Sequence, residues 1–207
     1  MKPIEYLPEL MQVLITPEVI EESWLMTYTG VHFNIFNYTR DDIRIEDIAH
    51  SLAYSTRFNG HARKAYSIAQ HSVLVYYITS NIKGLLHDAE EYIFMDIPRP
   101  LKILPLFVSY NAMAERLRNE IFMKYDFTPG VDADIIKADN RILATEGIEL
   151  MAQNDFNWQK YGKVYSDMEF PQGFYPYDHN IWTPEIAEMR FLNEFHLATD
   201  NRYRTVK

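Results

Sequence analysis

The residues of this chain best suited to chemistry are histidines and acids that share predicted helices. His87 and Asp88 are adjacent in LLHDAEEYIF, and His71 lies sixteen residues upstream. Neutral imidazole suits zinc and other late first-row divalent ions, and carboxylates suit harder ones. Asp139 adds an acid within IIKADNRILATEG. Glu91 follows His87 by one helical turn, so its carboxylate is expected beside the ion without ligating it.

Asp139 interrupts an otherwise apolar helical stripe that contains Ile135, Ile136, Ile142 and Leu143. Its side chain is therefore expected to point into the protein, where an aspartate needs a partner or a metal. Inward-facing ligands from several helices are a common way for helical bundles to hold a metal. Two nitrogens and two carboxylates leave coordination positions free for water and substrate, as in catalytic sites.

The elements that position these side chains are predicted to be helices. The apolar spacing and the capping residues predict an all-α fold apart from a small amino-terminal β-hairpin. A strand is expected at 31–36 next to a turn at Gly30, as part of this hairpin. Helices are predicted at about 45–53, 67–76 with Ser67 as N-cap, 85–93 before Pro98, 109–125, 132–151 and 184–197 with Thr183 as N-cap.

The composition excludes several classes of function. The chain has 207 residues and no cysteine, so disulfides, thiolate nucleophiles and cysteine-based zinc sites are excluded. The net charge of −9 argues against binding to duplex nucleic acid, which requires a basic face. Neither a membrane span nor an export signal in the first ten residues is expected, and no membrane partner. A cytoplasmic location follows as an expectation.

The stretch from about 154 to 182 breaks the helical pattern with prolines, a glycine and many aromatic residues. Long connections of this kind either cover a surface, which includes packing against another subunit, or act as functional lids. So many large rings are unusual on an exposed monomer loop, so the stretch predicts a homo-oligomer.

The order His71, His87-Asp88, Asp139 resembles the H…HD…D signature of the HD-domain phosphohydrolases. The phrases DIAHSLAYSTRFNGHARKAYSIAQHSVLV, LLHDAEEYIFMDIPRPLK and KADNRILATEG are similar to the branch that contains phage deoxynucleotide triphosphohydrolases and bacterial 5′-deoxynucleotidases. The resemblance covers roughly residues 45–151. It implies a single domain with an HD-type helical bundle as its core, an aromatic insertion at about 154–182 and a carboxyl-terminal helix.

The resemblance also implies roles for individual residues. The metal ligands are His71, His87, Asp88 and Asp139. The catalytic residues are Glu91, which handles a proton at the attacking water, and Asp96.

For the substrate, Arg57 matches an arginine that meets the phosphate, and Phe58 takes the place of the tryptophan that follows it in the family. Lys102 matches a lysine after the paired prolines. His61 lies near Arg57 in the sequence, and two interpretations of it remain open. Its side chain either faces the phosphates or has a structural role on the surface or in the loop.

The activity implied is hydrolysis of a deoxynucleotide, with a dATP-preferring triphosphohydrolase as the favoured form. Such an enzyme releases deoxynucleoside and triphosphate. The alternatives are a 5′-deoxynucleotidase and a non-catalytic nucleotide-binding or assembly module with a structural metal. The implied cofactor is Zn, Co or Mn, with room for a second ion (Mg or Co) on the substrate phosphates. Relatives of this kind form dimers or hexamers, in the host cytoplasm where a phage encodes them.

Overall fold

Helices make up most of the computed structural model, which describes residues 15–153, 155–176, 178–200 and 202. In this part of the chain the only sheet is a two-stranded antiparallel hairpin, which confirms the predicted fold class. The first ten residues, Asn154 and Tyr177 lie outside the described residues. No described helix has the length and apolarity to cross a bilayer. The elements are α1 Pro17–Glu22, β1 Trp24–Met26, β2 His32–Asn34, α2 Ile45–Tyr54, α3 Ile68–Thr79, α4 Ile82–Leu85, α5 Glu91–Phe94, α6 Arg99–Lys102, α7 Val108–Lys124, α8 Ala133–Leu150 and α9 Pro184–Ala198.

The hairpin pairs β1 with β2, and Leu25 lies opposite Phe33. Gly30 adopts a φ of 83° in the connection, a conformation that glycine enters at little steric cost. The predicted strand is thus present but shorter than expected, from His32 to Asn34. The Asn34 side chain accepts hydrogen bonds from the backbone N–H groups of Phe36 and Asn37, which turns the chain away from the sheet.

Helix α3 forms the centre of the protein and packs against α2, α8 and α9. Its first eight residues are all buried, so both its faces lie in the interior. The predicted cap is present, because the Ser67 hydroxyl accepts a hydrogen bond from the N–H of Gln70. The Gln70 side chain in turn bonds to Asn180 and Trp182, which ties the segment before α9 to α3.

The predicted helix at 85–93 is wrong in one respect, because a turn separates α4 from α5. In a continuous helix, the carbonyl of Gly84 would accept the backbone N–H of Asp88. Here that carbonyl accepts from the ring Nδ1 of His87 at 2.8 Å. Backbone bonds from Ala89 to Leu86, and from residue 91 to Asp88, tighten the following turn. The break in the helix therefore coincides with a hydrogen bond from the side chain of a proposed metal ligand.

The second half of the aromatic stretch packs inside the chain. Tyr165, Phe170, Tyr175 and Trp182 are all buried. Phe170 makes edge contacts with Tyr165 and Tyr175 at centroid distances of 5.5 and 5.7 Å. These rings belong to the subunit's own core, so they do not supply the exposed face on which the expected homo-oligomer was based. The oligomeric state stays a prediction.

Candidate metal site and adjoining cleft

Two histidine rings meet at the centre of the site, with His71 on α3 and His87 in the turn after α4. Their Nε2 atoms lie 3.3 Å apart. The Nδ1 atom of His71 is 2.7 Å from a Glu146 carboxylate oxygen, and the Nδ1 atom of His87 faces the Gly84 carbonyl. Carboxylate and carbonyl oxygens only accept, so each Nδ1 donates a proton, and each ring in its neutral form presents an Nε2 lone pair. Two lone pairs directed at one point form a donor set for a cation.

Two aspartates complete the donor cluster. Asp139 Oδ1, from α8, lies 3.2 Å from His71 Nε2 and 3.9 Å from His87 Nε2. Ligand atoms of these three residues lie within 4.8 Å of one another, so the three could hold a metal ion. Asp88 Oδ2 lies 3.2 Å from His87 Nε2 and 3.7 Å from His71 Nε2. The structure thus brings all four sequence-predicted ligands together.

The surroundings of the two aspartates favour their charged forms. Burial alone would raise the pKa of each carboxyl, but the neighbouring histidines outweigh burial and hold both pKa values below the ordinary range. At His71, burial and Arg57 lower the pKa, and Glu146 and Asp139 together raise it to about 9. The cluster therefore attracts positive charge, which a divalent ion supplies when it competes with the proton.

Glu146 belongs to the candidate site but was not predicted from the sequence. Its side chain is fully buried, and its oxygens accept from the Tyr66 hydroxyl at 2.7 Å and from Arg57 Nε at 3.1 Å, besides facing His71. Burial would raise its pKa, but Arg57 and His71 outweigh burial and lower it. Glu146 therefore orients His71 as an ionised carboxylate. Its sequence signal was its position seven residues after Asp139, on the same face of α8.

A strained turn at 57–60 brings Arg57 to the site. Phe58 and Asn59 have φ values of 55° and 51°, in the left-handed region that residues other than glycine rarely occupy. The turn is held where Arg57 N–H donates to the Tyr66 carbonyl at 2.9 Å. The buried guanidinium lies 3.5 Å from Asp88 through Nη1. Burial lowers the pKa of Arg57, but Glu146 and the other nearby acids outweigh burial and raise it, so its charge is secure.

A cleft of about 400 Å³ opens beside the donor cluster. This volume lies in the range of small-molecule sites. The side chains of Asp88 and Asp139 reach its wall, so an ion held by them would face the cleft. The lining is Arg57, Phe58, Asp88, Glu91, Asp96, Ile97, Pro98, Arg99, Pro100, Lys102, Asp139, Leu143, Phe156, Trp158 and Tyr161.

The two predicted catalytic acids, Glu91 and Asp96, lie in this cleft with Lys102. The ammonium of Lys102 is 3.0 Å from Glu91 Oε1 and 3.9 Å from Asp96 Oδ1. Burial, reinforced by Asp88 and Asp96, raises the pKa of Glu91 well above its ordinary value. The other oxygen, Oε2, is buried and has no hydrogen-bond partner among the described residues. Glu91 therefore combines proximity to the donor cluster with a raised affinity for a proton.

The structure does not bring His61 to the cleft. His61 is exposed at the end of the 57–60 turn and is absent from the lining. Conversely, the lining contains one cation and three aromatic rings that were not predicted from the sequence to belong to the site: Arg99, Phe156, Trp158 and Tyr161. The three rings belong to the aromatic stretch, whose composition gave a general signal but did not separate cleft residues from core residues.

The fold and the cleft define a helical protein with a candidate metal site of two histidines and neighbouring carboxylates. No model of a known protein family matches the chain. The chain is 38% identical over 140 residues to uncharacterized protein YfdR of Escherichia coli, a match that covers 66% of this chain and 77% of YfdR. It is 30% identical over 131 residues to uncharacterized protein RCAP_rcc00048 of Rhodobacter capsulatus, covering 58% of this chain and 66% of that protein. The chain belongs to the same family as YfdR.

Proposed function

We propose that this protein is an HD-domain metal-dependent phosphohydrolase that acts on deoxynucleotides. The observation that carries the proposal is the position of Asp88 and Asp139. Both lie at the histidine donor cluster, and both also line the cleft. A metal held only for structure is typically closed off by protein ligands, whereas a catalytic ion keeps a side open to substrate. The open side supports an enzyme over a non-catalytic module.

The residues around the cleft supply complementary tasks. A divalent ion of the Zn, Co or Mn type would be held by His71, His87, Asp88 and Asp139, and would supply Lewis-acid activation of water and of a phosphoryl oxygen. Arg57 offers a planar set of donors suited to phosphate. Its attachment to Glu146 through Nε fixes the orientation of the guanidinium.

Glu91 is the group proposed to take and return a proton at the attacking water. Burial and the neighbouring acids raise its pKa above the ordinary carboxyl range, which favours uptake of a proton. The ammonium of Lys102 contacts Oε1, whereas the buried Oε2 has no hydrogen-bond partner among the described residues. Asp96 Oδ1 lies 3.9 Å from the same ammonium, a separation that allows electrostatic attraction.

The favoured substrate is a deoxynucleoside triphosphate, dATP first, with release of triphosphate. One observation favours a 5′-deoxynucleotidase as the second candidate. Of the three cations in the cleft lining, Arg57 and Lys102 already contact carboxylates. The third, Arg99, donates to the neutral side chain of Asn140 at 3.2 Å. Little of the cationic charge is left unbalanced for a long phosphate chain, and a monophosphate needs less of it.

A panel of dATP, dGTP, dAMP and ATP tests the proposal, with protein loaded with Mn, Co or Zn and with a chelator-treated sample. The proposed triphosphohydrolase activity predicts that dATP yields deoxyadenosine and triphosphate and that the chelator stops the reaction. Orthophosphate released mainly from dAMP would promote the deoxynucleotidase. The His87→Ala variant, purified in parallel, controls for contaminating phosphatases. Absence of metal-dependent turnover across the panel would overturn the proposed function.

A further inference from the structure

Four aromatic rings form a continuous wall along the cleft. We name this set, Phe58, Phe156, Trp158 and Tyr161, the aromatic wall. Trp158 lies at its centre, with centroid distances of 4.8 Å to Phe156, 6.1 Å to Phe58 and 6.4 Å to Tyr161. All four rings line the same cleft as Asp88 and Asp139. The cleft thus joins a carboxylate and cation cluster to a cluster of rings.

The central ring of the wall is fixed against helix α8. A side-chain carbon at Gly147 would overlap the ring of Trp158, so the glycine allows the indole to lie directly on the helix. On the other side, the guanidinium of Arg99 lies 5.2 Å from the centre of the Tyr161 ring. The bonds from Arg99 to Asn140 of α8 connect this rim of the cleft to the same helix. Contacts with α8 therefore fix the position of the aromatic wall.

The wall differs from the rest of the aromatic stretch in exposure. Phe156 is 45% exposed, and Trp158 and Tyr161 are partly exposed, whereas Tyr165 and Phe170 are buried. Rings that only fill the core would be covered on both faces. These rings instead keep surface open toward a cavity whose other side is charged. A ligand that fits both sides carries an anionic group and a flat apolar group.

We infer that the aromatic wall is the subsite for the aromatic ring of the substrate, which is the nucleobase if the proposed function holds. Bases stack on aromatic side chains with energies that depend on ring area more than on hydrogen-bond pattern. The wall should therefore favour purines over pyrimidines and discriminate poorly between adenine and guanine. Any preference for adenine has to come from other groups. The inference adds residues 156–161, outside the segment that carries the family resemblance, to the substrate site.

The test measures binding of the aromatic ring and binding of the phosphates with separate ligands. Metal-loaded protein is titrated with deoxyadenosine, which lacks phosphate, and with tripolyphosphate, which lacks a ring, by ligand-observed NMR. Trp158→Leu should weaken deoxyadenosine binding by about 10-fold or more, because a stacking ring is lost, and should leave tripolyphosphate binding unchanged. Trp158→Phe should restore most of the deoxyadenosine affinity. Trp24→Leu is the matched control, since Trp24 lies on the hairpin and stacks on His32.

The outcomes distinguish the wall from the proposed function. The assignment of the aromatic wall as a ring-binding subsite would be overturned if Trp158→Leu bound deoxyadenosine as tightly as the wild type does. It would also be overturned if the wild type did not bind deoxyadenosine. An equal loss of both ligands would also overturn it, because the substitution would then act on the whole site. If no nucleotide is hydrolysed but deoxyadenosine binding still depends on Trp158, the proposed hydrolase function is contradicted and the ring-binding role of the aromatic wall is supported. If Trp158→Leu hydrolyses dATP with an unchanged KM, the proposed hydrolase function is supported and the ring-binding role of the aromatic wall is contradicted.

Discussion

The two ends of the cleft are held in different ways. At the metal end, buried hydrogen-bond partners fix the rings of both histidines, Glu146 for His71 and the Gly84 carbonyl for His87. At the aromatic end, the rings of Phe156 and Tyr161 are partly exposed and lie on a segment without a long helix. A ligand cluster needs fixed geometry, because small displacements of donor atoms weaken metal binding. A stacking surface tolerates displacement, because its contacts have little directional character.

This difference predicts separate effects of substitution at the two ends. Changes at the metal end should alter metal content or turnover for every substrate. Changes at the aromatic end should alter the ranking of substrates and leave the metal in place. Arg57 and Phe58 are adjacent residues that belong one to each end, so they offer the closest comparison within the chain.

The largest effect is expected at Glu91. Glu91→Gln keeps the size of the side chain but removes the carboxyl group that can accept and donate a proton. Turnover should therefore fall by about 10²-fold or more. Metal content should not change, because Glu91 is not among the proposed ligands. Glu90→Gln is the control, since Glu90 contacts Arg118 and lies outside the cleft lining. A near-normal rate in Glu91→Gln would reduce Glu91 to a partner of Lys102.

Glu146 should affect metal binding without contacting the ion. Glu146→Gln removes the charge that orients His71, and loss of such a partner typically weakens metal affinity by about 10- to 100-fold. Competition with a chromogenic chelator measures the affinity. Glu149→Gln, on the same helix, should leave it unchanged. Equal affinities in wild type and Glu146→Gln would show that His71 is positioned without this carboxylate.

Arg57 and Phe58 sharpen the comparison between the two ends. Arg57→Ala should lower kcat/KM for dATP, dGTP and dAMP by similar factors, about 10-fold or more, because a charge-assisted bond to phosphate is lost. Phe58→Leu should change the ranking of these substrates with a smaller average loss. Deoxy substrates should exceed ATP in the wild type, since an unpaired 2′-hydroxyl costs about 1–3 kcal/mol in a packed pocket. A base-dependent loss in Arg57→Ala would contradict the assignment of Arg57 to phosphate.

The smallest effect is expected in the buried half of the aromatic stretch. Phe170→Leu should lower the free energy of unfolding by about 1 kcal/mol, because a buried ring is replaced by a smaller side chain. Its KM for dATP should match the wild type, in contrast to Trp158→Leu. Chemical denaturation and steady-state kinetics give the two quantities. A changed KM in Phe170→Leu would remove the proposed division of the stretch into core and cleft rings.

Much of the fold was predictable because the signals are local. Ser67 and Thr183 begin their helices as their types suggested, and each hydroxyl accepts a backbone N–H three residues on. The turn after α4 was not predictable, because the apolar pattern through 85–93 is helical and does not report the bond from the His87 ring to the Gly84 carbonyl. Periodicity reports which residues are buried, and it does not report a side chain that takes the place of a backbone donor.

The candidate site was predictable to a similar extent. The four predicted ligands carry residue types with strong metal preferences, and the structure places their atoms together. Glu146 was missed because its only sequence signal, a position seven residues after Asp139 on the same helix face, does not report which ring the carboxylate contacts. The role of Trp158 depends on its contact with Gly147, which is close in space and eleven residues away in sequence. Contacts of this kind are set by tertiary packing, so composition alone did not separate Trp158 from Phe170.

Metal content tests the central claim most directly. Elemental analysis of wild type, His87→Ala, Asp139→Ala and the control His32→Ala, each after incubation with Mn, Co or Zn and desalting, should show a bound divalent ion in the wild type and in the control. His87→Ala and Asp139→Ala should lose the ion together with metal-dependent turnover of the deoxynucleotide panel. A wild type that retains no ion, or full occupancy in both ligand variants, would contradict the account.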